Sequence, residues 1–364
     1  FYFMDSNGIR ITDIYTSTLN SMETEIPSIG IAPGTYYLVI DHGYHYQDIN
    51  YTFKVNYTIC DNYEVERNNT IYTATNISPG KKYYGRLNRS GDEDYYKITA
   101  PSDGYFTINF FKTTSNPGNF DIRLYDQNLG DWNWLDSRSS SNCQVTDIKV
   151  GVQKGSYYFY VFADWNQKDS LYAFTINFTK TSTYEKERND SDKTANTIPL
   201  NTTISGTVLG RVSKLYGNAE DDTDWFKFTA SKKTYYSIRL IPRSNTSGTY
   251  YLSLQDSTFN NIKTLDYRIN SSSPSEDYRV ILNPGVYYIK ITSSYSGNDA
   301  YDFYVKQSTV TPSPVTDFVS RLYKYCLNRD PDDSGLSYWA SLLSRKELTG
   351  AQVAQNFVFS PEFL

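Results

Sequence analysis

The feature that most constrains the fold is an internal repeat. Three segments share one pattern, a glycine turn followed by aromatic and β-branched residues: APGTYYLVI (32–40), QKGSYYFYV (153–161) and NPGVYYIKI (283–291). The glycines of these turns lie 121 and 130 residues apart. Self-similarity at a near-constant spacing indicates a repeated structural unit, and a glycine turn before such a run is typical of a core strand. The chain is therefore predicted to be an array of related β units.

A second landmark marks where each unit begins. The segments YEVERNNT (63–70) and YEKERNDS (184–191) again lie 121 residues apart. Counting from them, residues 62–182 and 183–309 form complete repeats, whereas residues 1–61 match only the second half of one. Half a sandwich leaves an apolar sheet face and strand edges uncovered. We therefore expect the missing half to precede Phe1 in a longer protein, or to come from another molecule by strand complementation.

Within the repeats, strand-length runs such as GYFTINFF, YAFTINFT and YYSIRLI alternate apolar and polar residues and are separated by Gly, Asn, Asp and Ser. This alternation is typical of antiparallel sheets with one packed face and one wet face. The 36 Tyr and 19 Phe beside only two Met also favour strands over helices. The predicted fold class is mainly β, with tandem antiparallel, jelly-roll-like β-sandwich domains.

The pattern changes to a helical period after a linker at residues 310–314, so residues 315–364 are predicted to form a small all-α domain. Its predicted apolar positions are Phe318, Leu322, either Tyr325 or Cys326, Leu336, Trp339, Leu342, Leu343, Val353, Ala354 and Phe357. Thr349 and Gln352 have the spacing of a capping box. The loop NRDPDDSG (328–335) begins like a calcium-binding helix-loop-helix, but Ser341 stands where a bidentate Glu is needed. We interpret this loop as a capped turn.

Charge and composition exclude several functions. The net charge is −5 with no run of Lys or Arg, so nucleic acid is not an expected partner. The sequence contains no apolar stretch long enough for a membrane span. Its only histidines, His42 and His45, lack counterparts in the other repeats, and no phosphate loop, nucleophile elbow or zinc-protease motif is present. We therefore predict that the chain is not an enzyme.

Two acidic clusters recur together in both complete repeats. The first cluster holds Glu64, Glu66, Asn68 and Asn69 in one repeat and Glu185, Glu187, Asn189 and Asp190 in the other. The second holds Asp92 and Asp94 in one repeat and Asp221, Asp222 and Asp224 in the other. Side chains at i and i+2 of a strand face the same side, and calcium binds six to eight oxygens. The alternative is that these are solvated turns, but joint recurrence favours a metal site.

These residues carry a resemblance. The YExERN start, the DYYK and DWFK segments and the PGxYY turn are similar to the bacterial pre-peptidase C-terminal domain, whose relatives include collagen-binding domains of clostridial collagenases. The resemblance covers about residues 1–309. It implies a β-sandwich of secreted proteins in which calcium pins the entry segment to the sandwich.

The resemblance also implies a ligand set. In the second repeat the matching positions are Glu185, Glu187, Asn189, Asp190, Asp221 and Asp224. In the first repeat, Asn69 replaces an expected Asp and Gly91 replaces the first late Asp, which leaves Glu64, Glu66, Asn68, Asp94 and Asp92. Fewer anionic ligands imply weaker calcium binding there.

The helical tail has a resemblance of its own. The string FVSRLYKYCLNRDPDDSGLSYW, followed by FVFSPEF, is similar to a domain of unknown function found on bacterial surface proteins and distantly similar to phycobilisome linker domains. Members of that family normally continue past the position of Leu364, so we expect the domain to be truncated.

The sequence thus predicts a non-catalytic, extracellular protein, secreted or on the cell surface, with a structural or adhesive role. Its expected partners are extracellular matrix, polysaccharide or sister subunits. One alternative is an accessory substrate-binding region of a secreted hydrolase. Another is a subunit of an extracellular filament assembled by strand complementation.

Overall fold

The structure is a computed structural model that describes residues 2–13, 28–41, 50–88, 91–112, 120–127, 134–140, 144–163, 170–208, 222–243, 249–268, 277–293 and 299–363. The chain divides into two compact units, Phe1–Ser182 and Thr183–Leu364. The predicted fold class is confirmed, because both units are built from mainly antiparallel sheets and three short helices end the second. None of the described helices has the length and apolar character needed to cross a membrane.

The first unit contains twelve described strands. They are β1 (Tyr2–Asp5), β2 (Arg10–Asp13), β3 (Tyr36–Val39), β4 (Thr75–Asn76), β5 (Lys82–Leu87), β6 (Glu93–Ala100), β7 (Gly104–Lys112), β8 (Phe120–Tyr125), β9 (Trp134–Ser140), β10 (Gln144–Val152), β11 (Gly155–Ala163) and β12 (Ser170–Lys180). The complete repeat is a four-stranded sheet of order β10-β7-β12-β5 and a five-stranded sheet of order β4-β6-β11-β8-β9. All neighbours are antiparallel except the short β4, which is parallel to β6.

Buried apolar residues alternate with half-buried residues along these strands, and the buried ones form the core of the repeat. In β7, Phe106, Ile108 and Phe110 are each at most 2% exposed, while the residues between them are half-buried. Aromatic rings then connect the two sheets: the ring centroids of Phe159 in β11 and Phe174 in β12 are 4.8 Å apart. The apolar face of each sheet is therefore covered by the other.

Residues 2–41 contribute a smaller, three-stranded sheet of order β2-β1-β3. This order is the same as that of β9-β8-β11 in the complete repeat. Residues 36–39 of β3 also lie 121 positions before residues 157–160 of β11. The half-repeat therefore has part of one sheet of a sandwich.

The second unit repeats the arrangement with nine described strands. They are β13 (Asn196–Thr197), β14 (Thr203–Val208), β15 (Asp224–Ala230), β16 (Thr234–Pro242), β17 (Thr249–Gln255), β18 (Asn261–Arg268), β19 (Tyr278–Leu282), β20 (Gly285–Ser293) and β21 (Asp299–Gln307). The sheets have the orders β13-β15-β20-β17-β18 and β14-β21-β16-β19. Strand for strand, these orders match those of the first complete repeat.

The helices of the second unit are α1 (Pro314–Leu327), α2 (Asp333–Ser344) and α3 (Gly350–Val358). Helix α1 starts one residue before the predicted boundary, because Ser313 forms a capping box with Thr316 and Pro314 occupies the first turn. The capping box predicted at Thr349 and Gln352 is confirmed.

The inner face of the helices differs in part from the prediction. Val319 and Tyr323 are the buried residues of the apolar face of α1, whereas the predicted Phe318 and Leu322 are only partly buried. Of the two alternatives left open, Cys326 packs on this core and Tyr325 is 82% exposed. The helical core also includes Tyr235 and Val310, which precede the helices in the chain. The helices therefore pack directly on the sandwich of their own unit.

Candidate metal sites

The entry segment of the first complete repeat runs beside β5. The Glu64 N–H donates to the Tyr84 carbonyl at 2.9 Å, and the Tyr84 N–H donates to the Asn62 carbonyl at 2.9 Å. The extended backbone turns Glu64, Glu66 and Asn68 inward, where they are 1%, 7% and 0% exposed, while the residues between them are exposed. The i, i+2 spacing of these oxygen-bearing side chains therefore places them on one side.

The second complete repeat is built in the same way. The Glu185 N–H donates to the Ser205 carbonyl at 2.9 Å, and the Ser205 N–H donates to the Thr183 carbonyl at 2.8 Å. Glu185, Glu187 and Asn189 are all buried, and the side chains between them are half-buried. Both entry segments therefore present the same row of inward-facing oxygens.

Each row meets the later acidic cluster. In the first repeat, one carboxylate oxygen each of Glu66, Asp92 and Asp94 lies within 4.8 Å of the others. In the second repeat two such groups share Glu187: the first is Glu185, Glu187 and Asp224, and the second is Glu187, Asp190 and Asp222. Side chains distant in sequence thus converge closely enough to bind a common metal ion in both repeats.

The predicted ligands differ in their surroundings. Glu64 lies beside this cluster rather than within its closest triad, and it accepts hydrogen bonds from the Arg86 N–H (2.8 Å) and the Tyr96 hydroxyl (3.3 Å). Asn69 donates to Asp92 Oδ1 at 2.8 Å. Asp221 lies outside the described residues.

Asp222 is a candidate ligand that the resemblance did not select. It precedes Asp224 by two residues, as Asp92 precedes Asp94, and both late pairs contribute to the clusters. In the first repeat Asp92 stands at the position of Asp222, and Gly91 stands at the position of Asp221, which lies outside the described residues. The i, i+2 rule applied to the late cluster would have identified this equivalence.

A buried tyrosine connects the carboxylates in each repeat. The Tyr172 hydroxyl donates to Asp94 Oδ2 at 2.5 Å and lies 2.6 Å from the Tyr96 hydroxyl. In the second repeat, the Tyr301 hydroxyl lies 2.7 Å from Asp224 Oδ2 and 2.9 Å from Glu185 Oε2. A hydroxyl has one proton, so Tyr301 can donate to only one of these carboxylates at a time.

A glycine makes room for each tyrosine–carboxylate contact. A β-carbon at Gly206 would overlap the Tyr301 hydroxyl and lie 2.5 Å from Glu185 Oε2. A β-carbon at Gly85 would likewise overlap the hydroxyls of Tyr172 and Tyr96. Gly85 and Gly206 are therefore equivalent positions, 121 residues apart, at which only glycine allows this close approach.

Several buried oxygens in these clusters accept no hydrogen bond. Among the described residues, these atoms include Asn68 Oδ1 and Asp94 Oδ1 in the first repeat, and Asn189 Oδ1 and Glu187 Oε1 in the second. A buried polar atom without a partner costs about 1–3 kcal/mol, and native proteins contain few of them. Their location beside the clustered carboxylates points to ligand positions for a cation.

The electrostatics agree with the geometry. Burial and the neighbouring Glu66 raise the pKa of Glu64, and burial and Glu64 raise that of Asp94. In the second repeat, burial and the nearby aspartates raise the pKa of Glu185, and burial raises that of Asp224 to about 7. Each site therefore brings together carboxyl groups whose ionisation is costly when no cation is bound.

The first repeat also has a buried cation. Arg86 is 3% exposed, and its charge interacts with Glu64. The equivalent position in the second repeat, 121 residues later, is Thr207 in β14. The second site is therefore the more negative of the two.

The loop before α2 has a different arrangement. Asp332 Oδ1 accepts a hydrogen bond from the Gly335 N–H at 2.8 Å and caps the helix. Asp333 pairs with Arg279 at 2.8 Å. These contacts are those of the predicted capped turn. His42 and His45 lie outside the described residues.

Comparisons with known proteins give limited matches. A family model described as a domain of unknown function (DUF4214) matches residues 306–364, which agrees with the resemblance of the tail to a domain of unknown function. No curated protein matches the chain.

Solved structures similar to this chain include three that illustrate the level of similarity. The pre-peptidase C-terminal domain of collagenase from Bacillus anthracis is 23% identical, with 31% of this chain and 94% of that chain covered and a TM-score of 0.24. The CUB1-EGF-CUB2 domain of human MASP-1/3 is 10% identical, with 61% and 99% covered and a TM-score of 0.18. A cycloisomaltooligosaccharide glucanotransferase from Paenibacillus sp. is 16% identical, with 40% and 26% covered and a TM-score of 0.21. Similarity at this level carries no conclusion about function.

Proposed function

We propose that each complete sandwich binds calcium between its entry segment and the start of β6 or β15. The observation that carries this proposal is the set of buried, unpartnered oxygens, Asn68 Oδ1, Asp94 Oδ1, Asn189 Oδ1 and Glu187 Oε1, beside clustered carboxylates. The available ligands are carboxylate and amide oxygens, which suit a hard cation. Calcium fits better than magnesium, because it accepts six to eight oxygens in flexible geometry, whereas magnesium requires a near-ideal octahedron and retains water.

The consequence of binding would be mechanical. Glu66 and Glu187 belong to the entry segments, whereas Asp94 and Asp224 lie in the first two residues of strands β6 and β15. An ion shared by both would fix the first residues of a repeat to its own sheet. Because the unfolded chain lacks this arrangement, calcium would stabilise the folded repeat.

The protein containing this chain would then be a non-catalytic structural or adhesive protein of the cell exterior. Burial supports this view: Asp94 and Asp224 are 0% exposed, so a substrate could not reach them. The exposed outer faces of the sheets would contact matrix, polysaccharide or sister subunits. Extracellular calcium would keep the modules folded there.

Calorimetric titration of the chelator-treated chain with calcium tests this proposal. We expect calcium binding that Asp94→Asn and Asp224→Asn each weaken at one site by about tenfold or more, equal to about 1.4 kcal/mol. Asp256→Asn is the matched control, because Asp256 caps an exposed turn away from both clusters. Absence of calcium binding, or an equal loss in the control, would contradict the proposal.

A further inference from the structure

A short segment of the half-repeat lies against the entry segment that carries the first candidate metal site. The Glu66 N–H donates to the Gly30 carbonyl at 2.9 Å, and Ile31 pairs with Glu66 in a parallel bridge. The Tyr63 hydroxyl donates to the Ser28 carbonyl at 3.2 Å. We call residues 28–31 the edge segment. Because the same entry segment also pairs with β5, it connects the half-repeat to the complete repeat.

Gly30 allows the edge segment to approach this closely. A β-carbon at Gly30 would overlap the Glu64 carbonyl and lie 2.8 Å from the Tyr63 ring. The backbone of Gly30 is outside the left-handed region, so a larger residue would act through its volume and not through backbone strain. A side chain at position 30 would therefore push against the backbone that leads from Glu64 to Glu66.

The sequence has glycine at this position only where an entry segment follows in the chain. Residues 29–31 are Ile-Gly-Ile, and 121 positions later residues 150–152 are Val-Gly-Val. The entry segments at 63–70 and 184–191 follow them. In the last repeat, which is followed by helices, the position 130 residues further on is Ile281 in β19. The glycine thus accompanies an entry segment.

The edge segment corresponds to an outermost strand of the sandwich. Its residues are equivalent to part of β10 in the first complete repeat and part of β19 in the second. Both strands stand last in the order of their four-stranded sheets. In β19, the Arg279 N–H donates to Asp330 Oδ2, in the loop before α2, at 3.3 Å. This edge therefore contacts the segment that follows in the chain, in the half-repeat and in the last repeat alike.

We propose that calcium bound at the first complete repeat strengthens the docking of the half-repeat, and that this docking in turn strengthens calcium binding. The inference rests on the proposed metal site. Glu66 takes part in both events: a carboxylate oxygen lies within 4.8 Å of oxygens of Asp92 and Asp94, and its N–H donates to Gly30. An ion would fix the extended backbone with which the edge segment pairs, so docking would cost less conformational freedom. Coupling between binding events is reciprocal, so a weaker contact at Gly30 must weaken calcium binding.

Calorimetric titration of the full chain with calcium tests this coupling through Gly30→Ala. We expect the affinity of the first site to fall at least about fivefold, the lower end of the usual range for coupled sites. The affinity of the site around Asp224 should stay the same and serves as the internal reference. Gly34→Ala is the matched control, because a β-carbon there makes only ordinary contact with Tyr36.

A second variant acts on the same contact without adding volume. Tyr63→Phe keeps the ring and removes only the hydroxyl that donates to the Ser28 carbonyl. It should lower the calcium affinity of the first site in the same direction as Gly30→Ala, by a smaller factor. Tyr72→Phe is its control, because Tyr72 is 92% exposed.

Amide exchange followed by NMR gives an independent readout. In the wild-type chain, removal of calcium with EDTA should accelerate exchange of the Glu66 amide, which donates to Gly30. In calcium, Gly30→Ala should accelerate the same amide, while the Glu64 amide, which donates to the Tyr84 carbonyl, should stay protected.

The outcomes separate this coupling from the metal site itself. A wild-type chain that binds no calcium at the first site would overturn the proposed function and this inference together. Calcium binding of equal affinity in Gly30→Ala and Gly34→Ala would overturn the coupling alone. So would equal protection of the Glu66 amide in calcium and in EDTA.

Discussion

Replacing Asp224 by Asn should change stability in opposite directions with and without calcium. Asp224 is fully buried, and its carboxylate lies close to those of Glu185 and Glu187. With calcium bound, the substitution removes an anionic ligand and should destabilise the second unit. Without calcium, it removes a buried negative charge, keeps the shape of the side chain and should stabilise the same unit.

The magnitude without calcium follows from the pKa of Asp224. Burial raises it from 3.8 to about 7, so the folded state binds the proton more tightly than the unfolded state. This contribution to stability is present below the unfolded pKa and is lost as the pH rises through the folded value. At about pH 8, ionised Asp224 therefore costs on the order of 4 kcal/mol relative to a neutral side chain.

Differential scanning calorimetry at about pH 8 measures both effects. In EDTA, Asp224→Asn should raise the unfolding temperature of the second unit by roughly 8–16 °C, at about 2–4 °C per kcal/mol for a unit of this size. At a calcium concentration about 10,000 times the dissociation constant, the wild-type unit gains about 5.5 kcal/mol, which exceeds the roughly 4 kcal/mol that the substitution contributes without calcium. A variant that loses this gain should therefore unfold below the wild-type temperature in calcium. Asp256→Asn should have little effect in either condition. A shift of the same sign in calcium and in EDTA would refute this reasoning.

Three further predictions concern pH, the buried tyrosine and the helices. In EDTA, the wild-type second unit should become less stable between about pH 4 and pH 7, because its raised carboxylate pKa values favour protonation of the folded state; thermal melts that rise with pH would contradict this. Tyr301→Phe should lower the free energy of unfolding by about 1–3 kcal/mol in chemical denaturation, since a buried donor to carboxylates is lost; an unchanged value would exclude that role. Arg279→Met should accelerate proteolysis of residues 314–358, because the nearly buried Arg279 binds Asp333 and the Pro331 carbonyl; Arg345→Met, at an exposed arginine, is the control, and equal rates would show that Arg279 does not hold the helices.

Much of the architecture could be predicted because it follows from local periodicity. The repeat spacing predicts that β11 and β20 are equivalent strands, and each is the central strand of its five-stranded sheet. Likewise, the i, i+2 rule correctly put Glu64 beside Glu66 on one side of an extended backbone. Properties of the strand backbone itself decide both features, so no knowledge of distant contacts was needed.

The remaining features depend on contacts between residues distant in sequence. Tyr301 meets Asp224 across 77 positions, and nothing local to either residue indicates that contact. The predicted Phe318 and Leu322 pack against the helical core, but its buried members in α1 are Val319 and Tyr323, and Tyr235, far earlier in the chain, belongs to the same core. Such tertiary partners are invisible to periodicity.

Anomalous diffraction from crystals grown in calcium is the most direct measurement of the central claim. A peak is predicted beside Glu187 and Asp224, coordinated by six to eight oxygens at about 2.3–2.6 Å, with Asn189 Oδ1 among the ligands. A corresponding peak, of lower occupancy at limiting calcium, is predicted beside Glu66 and Asp94. Well-ordered carboxylates bridged only by water or by protons at saturating calcium would contradict the account.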